Sequence, residues 1–216
     1  MKVQSLLLIL FLLFAIPISV FFVKLKSLTN ISSQNIVYNT VENPTIKTLV
    51  ESTINQTKSA VTYDPAYYDI DYPNGDVPAN VGVCSDVIIR AFRDIDIDLQ
   101  KEIHEDMSSN FKVYPNLWGL TAPDKNIDHR RVPNLQTYFQ RKNYDLPVTD
   151  DANDYIPGDV VVWRFANGRV HTGLVVNAFD LTSQRYLIVH NAGRGPQLED
   201  VLFTWEIIGH YRIIGS

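Results

Sequence analysis

The chain has 216 residues, which suits one domain with a leader rather than two full domains. With 45% hydrophobic and 20% charged residues it can bury a core unaided, and its single cysteine excludes an intrachain disulfide. A formal net charge of −5, with no basic block outside the termini, argues against nucleic acid as a partner.

From Ser5 to Val23 the sequence carries no charge, and Lys2, Lys24 and Lys26 flank it. A signal-peptide core is typically ~7–15 residues with a small-residue cleavage site after it, whereas this run is longer and no clear A-x-A pattern follows. At ~1.5 Å per residue it nearly covers the ~30 Å of bilayer hydrocarbon. Residues 1–26 are therefore expected to form a signal anchor in preference to a cleaved signal peptide. Either reading carries the remainder across the membrane when the short N-terminus stays cytoplasmic. Residues 27–43, rich in Ser, Thr and Asn, read as a polar tether.

The domain is expected over 44–216. Pro44 opens a helix in which Ile46, Leu49, Val50 and Ile54 recur at helical spacing. A Pro-, Gly-, Asp- and Tyr-rich segment to Gly82 reads as a long ordered loop. A second helix starts at Cys84 with Val87, Ile88, Ala91 and Phe92 on one face, and a third spans Leu99 to Met107. Residues 108–131 are irregular, and "VPNLQTYFQRKN" is a further helix. The texture then changes to β-branched and aromatic runs, "GDVVVWRF", "RVHTGLVV", "RYLIVHNA" and "WEIIGHYRII", parted by turn residues. Helices first and strands after predict an α+β fold with an antiparallel sheet.

Cys84 is the first candidate for chemistry. A thiolate attacks carbonyls, and a helix N-terminus lowers a thiol's pKa through its unpaired N–H groups and positive dipole end. Asp86, in the same first turn, opposes the thiolate unless a positive or hydrogen-bonding group partners it. Taken alone, a free cysteine is more often a small buried core residue than a nucleophile. His171 stands at the start of an otherwise apolar strand, and His190 ends the next one beside Asn191. If those strands are antiparallel neighbours, both imidazoles project from one face. Cysteine, base and orienting group then form the arrangement that activates a nucleophile. Cys84, His171 and His190 also suit zinc, although no fourth ligand has convincing spacing. His104 and Asp106 are two residues apart, so they do not share a helix face.

The order of a helix-start cysteine, "PGDVVVWRF", "VHTGLVV" and a strand ending in His resembles NlpC/P60 and CHAP-type papain-like amidases. More closely, "YDPAYYDIDYPNGDVPANVGVCSDVIIRAFRDIDIDLQ", "HEDM", "NIDHRRVPNLQTYF" and "IVHNAGRGPQLEDVLF" resemble the bacterial DUF1287 family, over about 44–216. The resemblance implies a papain-like domain with the Cys-bearing helix packed on an antiparallel sheet. It also implies a catalytic set of Cys84, His171 and His190. NlpC/P60 enzymes carry an acid directly before the cysteine, where this chain has Val83, so their usual specificity is not carried over. Their tyrosine near the oxyanion maps to Tyr72, with Tyr67 and Tyr68 as alternatives, and the Cys84 N–H is the second donor. Arg130 and Arg131 are candidates to clamp a substrate carboxylate, and Asp86 is a further substrate-binding candidate.

The expected function is an envelope-located bacterial cysteine hydrolase that cleaves an amide, in peptidoglycan stem peptides or cross-links. It is expected in the periplasm or another extracytoplasmic space, inner-membrane anchored or exported, without a cofactor. The alternatives are a non-catalytic envelope-binding module on the same fold and a zinc-dependent amidase using the same cluster.

Overall fold

Residues 35–215 are described by a computed structural model, so the expected signal anchor and residues 27–34 of the tether lie outside the described residues. Of the described residues, 37–215 form one compact unit. Among the described residues no helix is long and apolar enough to cross a membrane.

The end of the expected tether is ordered structure. Ile36–Tyr38 form strand β1, and Asn43 caps helix α1 (Pro44–Gln56) by accepting the Thr45 and Ile46 N–H groups at 2.9 and 3.2 Å. Polar composition misled here because Asn serves as a cap. Pro44 sits at the first helical turn, where its missing N–H costs nothing. The other helices are α2 (Cys84–Arg93), α3 (Leu99–Asn110) and α4 (Val132–Arg141). Single turns of 3₁₀ helix at Phe111–Val113 and Asp128–Arg130 punctuate the stretch between α3 and α4.

The sheet has six strands in the order β7 (Gln197–Glu199), β6 (Arg185–His190), β5 (Val170–Asp180), β4 (Val160–Arg164) and β8 (Glu206–Tyr211), with β1 also paired to β5. The four ladders along this path are antiparallel, as the α+β reading expects. Helices α1, α2 and α4 pack against β5, whose long apolar run is buried from both sides. On one face Val161, Trp163, Val175 and Ile188 gather with Tyr155, Val201 and Leu202 into a core, and Trp163 Nε1 donates to the Leu202 carbonyl.

The long loop before α2 is pinned by side chains. Arg90 pairs with Asp76 at 2.9 Å and donates to the Val81 carbonyl. Gln100 donates to the Asp71 and Lys125 carbonyls and accepts from Gly75. Two short parallel strands, β2 (Thr62–Tyr63) and β3 (Val81–Gly82), set Tyr63 opposite Gly82, beside the start of α2. The aspartate of "PGD", Asp159, is buried. It accepts from Arg212 at 2.7 Å and lies 2.8 Å from His210 Nε2, so that motif ties β4 to β8.

Candidate active site

Cys84 is the first residue of α2 and 6% exposed. Asp86, two residues on, accepts the Val83 N–H at 2.7 Å and closes the helix start. A Cβ on Gly82 would lie 3.3 Å from both Asp86 Oδ2 and Arg90 Nη1, so glycine is used there for close approach. The backbone N–H groups of Thr172, Ser85 and Cys84 itself address the sulfur. Burial outweighs them and pushes the thiol up to about 11. The expectation of a thiol lowered by its helix end is therefore corrected. A dipole end can favour a thiolate, but here burial strips the charged form of its water.

The two histidines meet as the strand pattern predicts. In β5–β6 pairing Gly173 lies opposite His190, so His171, Gly173 and His190 share one face. His171 Nε2 lies 2.9 Å from His190 Nδ1. A Cβ on Gly173 would stand 2.6 Å from Ile188 Cγ2 and 3.0 Å from His190 Cβ. The glycine of H-x-G thus makes room for the second histidine to lean over. Beyond the Gly173–His190 pair β6 leaves the ladder, and the Thr172 N–H turns to the Cys84 sulfur. The residue after His171 therefore touches the thiol.

The chain of contacts continues to Glu199 on β7, which the sequence reading missed. His190 Nε2 lies 3.0 Å from Glu199 Oε2, and Glu199 Oε1 accepts from Arg194 at 2.7 Å. An ionised carboxylate only accepts, so His190 carries its proton on Nε2. Burial lowers the His190 pKa despite Glu199, which leaves Nδ1 as an acceptor. His171 must then donate from Nε2, and its Nδ1 lone pair is left free. Burial, with the neighbouring His190, brings His171 down to about 3. Phe165 stacks on the His171 ring at 5.0 Å, and Trp205 lies edge-on to both imidazoles at 5.7 and 5.8 Å. The resting pair is accordingly a neutral thiol and a neutral imidazole. His190 spends both ring nitrogens, on His171 and Glu199, and among the described residues no group of three or more His, Cys, Asp or Glu side chains is placed to hold a metal ion, which counts against the expected zinc alternative.

Asn191 points elsewhere. Its Nδ2 donates to the Gly82 carbonyl at 3.1 Å and its Oδ1 accepts from Gly193, so it ties the β6 end to the loop before Cys84.

Several other candidates fall in different places. Asp86 and Arg130 form a buried bidentate pair at 3.0 Å, and Arg130 also donates to the Ala66 and Asp64 carbonyls. Their expected substrate-binding role is corrected: both charges are spent inside the protein. Arg130 is the positive partner that Asp86 needed. Tyr72 is not at the cleft; its ring meets His104 edge-on at 5.2 Å. Counting residues along that loop misplaced it, because β2 folds Tyr63 back onto β3. The cleft at Cys84 encloses about 430 Å³, and Tyr63, Tyr67, Trp118, Arg131 and Val170 are among its walls. Burial and the facing Cys84 raise the Tyr63 pKa, so the hydroxyl stays protonated. Tyr67 also contacts Asp124, and Tyr68 turns away to donate to Asp64 at 2.6 Å. Arg131 stacks on Trp118, with the guanidinium 4.0 Å from the ring centre.

Comparison with known proteins places these residues in a family. The chain is 52% identical over 157 residues to the uncharacterized protein YijF of Escherichia coli (strain K12), covering 73% of this chain and 76% of that one. A solved structure from Staphylococcus aureus, described as similar to lipoprotein, NLP/P60 family, aligns with 91% of this chain at 12% identity and a TM-score of 0.41. The chain spans about half, 49%, of that protein's length. The family described as "Domain of unknown function (DUF1287)" matches residues 50–213, which hold Cys84, His171, His190 and Glu199, and this chain belongs to it.

Proposed function

We propose that this protein is a cysteine hydrolase that cleaves amide bonds by acyl transfer, with peptidoglycan stem peptides or cross-links as substrate. The apolar run from Ser5 to Val23 supports a site of action in the bacterial periplasm or another extracytoplasmic space, anchored or exported. The observation that carries the reading is the ordered relay Glu199–His190–His171, which leaves a lone pair on His171 Nδ1, while the N–H of the next residue, Thr172, addresses the Cys84 sulfur.

In the reaction, His171 Nδ1 takes the Cys84 proton as the sulfur attacks the substrate carbonyl. The carbonyl π electrons move to oxygen, and the oxyanion is met by the Cys84 N–H and, in place of Tyr72, the Tyr63 hydroxyl. His171, now protonated, gives its proton to the leaving nitrogen as the C–N bond breaks, and water then clears the thioester. Glu199 steadies the imidazolium through His190. Because thiol and imidazole start neutral, proton transfer and attack belong to one step, which begins only when substrate fills the cleft.

A non-catalytic binding module is the second reading, and the burial of the Cys84 thiol favours it. Digestion of purified peptidoglycan by the full-length chain separates the two. Mass spectrometry should find new amine and carboxyl ends with the unaltered chain, and none with Cys84→Ala or His171→Ala. Undigested peptidoglycan that retains the bound protein would establish the binding module.

A further inference from the structure

Behind the Trp118–Arg131 stack lies a second chamber of about 270 Å³, walled in part by Phe111, Lys112, Tyr114 and Asn134. Trp118 and Arg131 line both this chamber and the cysteine cleft, so the two communicate across one stacked pair. The polar groups Lys112, Arg131 and Asn134 line the chamber, and one of them, Arg131, feels Asp128 and Asp124 from beyond ion-pair distance. Lys112 is exposed, and among the described residues no carboxylate is within ion-pair reach of it or of Arg131. Asn134 is 1% exposed. Its Nδ2 donates to the Asp128 carbonyl at 3.0 Å, while its Oδ1 has no hydrogen-bond partner among the described residues. A buried acceptor left unsatisfied is costly and calls for an occupant. No acidic residue lines the chamber, although the chain as a whole is acidic.

We infer that this chamber holds a carboxylate-bearing arm of the peptide substrate, with Lys112 and Arg131 on the carboxylate and Asn134 Oδ1 accepting a peptide N–H. The need for a donor at Asn134 favours a peptide over a phosphate dianion, which brings only acceptors. The aromatic walls suit the methylenes between carboxylate and backbone. The inference rests on the amide-hydrolysis reading for the identity of the substrate.

The test uses the full-length Cys84→Ala chain and calorimetry with two probes: a stem tetrapeptide with free carboxylates and the same peptide with every carboxylate amidated. The free peptide should bind about tenfold tighter. That preference should shrink to about twofold or less in Arg131→Gln and in Lys112→Gln, the latter at an exposed site where folding is undisturbed. Equal affinity for both probes, binding of neither, or a preference that survives both substitutions would overturn the inference. Turnover by the chain with Cys84 intact is read separately. A carboxylate-dependent preference without cleavage would leave the chamber standing and remove the hydrolase reading.

Discussion

His190 and Glu199 stand 3.0 Å apart on neighbouring strands, and their pairing fixes which nitrogen of each imidazole in the site carries a proton. Glu199 is a positioning residue on this account, since it acts through His190 and then His171. It is one-third exposed, so truncation is tolerated by the fold. Glu199→Ala should lower the rate of the chemical step roughly ten- to hundredfold, equivalent to ~1.4–2.7 kcal/mol, with little change in melting temperature. Glu199→Gln, oriented to accept from Nε2, should recover part of the loss. An unchanged rate for Glu199→Ala would remove it from the relay.

His190 and Asn191 should separate cleanly. His190→Ala should lower the rate roughly ten- to a thousandfold, which corresponds to ~1.4–4 kcal/mol. Asn191→Ala removes one of the two donors to the buried Gly82 carbonyl, which keeps the Asp64 N–H at 3.2 Å, and should lower stability by about 0.5–1.5 kcal/mol while the folded fraction keeps its rate. Denaturant melts paired with turnover per folded molecule decide this; an inactive but fully stable Asn191→Ala would reverse the roles.

Arg130 should behave as a structural ion, not a substrate ligand. Breaking its buried pair with Asp86 leaves an uncompensated carboxylate, so Arg130→Ala should cost about 3–5 kcal/mol in a chemical melt. The double change Asp86→Asn with Arg130→Gln should cost less than the sum of the single ones. Additive losses would mean that the two charges do not depend on each other.

The buried thiol gives a spectroscopic signature. With Cys84 held up to about 11, the thiolate absorbance lost in Cys84→Ala should be absent at neutral pH and develop only in alkali. Iodoacetamide should label the folded protein more slowly than free cysteine, which reverses the sequence expectation for a helix-start thiol. Rapid labelling at neutral pH would show a standing thiolate–imidazolium pair.

In acid, the buried histidines should govern stability. His171 is pressed down to about 3 and His129 to about 4, both first by burial, so the unfolded chain binds protons that the folded one refuses. Their contribution should be constant above the ordinary histidine value of 6.5 and should fall as pH drops from there toward about 3. A tenfold difference in proton affinity between folded and unfolded chain corresponds to about 1.4 kcal/mol, and His129→Gln should flatten part of the slope. A melting midpoint that holds steady down to about pH 4 would contradict both histidine assignments.

Much of the site was legible from period and order. Strand alternation was enough to put His171 and His190 on one face, and "PGD" with H-x-G marked β4 and β5. The reason for the glycine became visible only with the register, which brings His190 Cβ to 3.0 Å from where a Gly173 Cβ would be. Glu199 escaped because a three-residue edge strand after a Gly- and Pro-rich turn carries no periodic signal. Tyr63 escaped because two residues of parallel pairing, Thr62–Val81 and Tyr63–Gly82, link segments that look like loop. Arg130 was misjudged because the sequence does not say whether a charge faces solvent or a buried partner 44 residues away.

The most direct test is the covalent state of Cys84 during turnover. The full-length chain should be mixed with purified stem peptide or peptidoglycan fragments, quenched in acid within a single turnover, and weighed intact. The account predicts a mass increase equal to the acyl fragment, mapped by proteolysis to Cys84, smaller in His190→Ala and absent in His171→Ala. Release of fragments with Cys84 unmodified, and at an undiminished rate in Cys84→Ala, would contradict it.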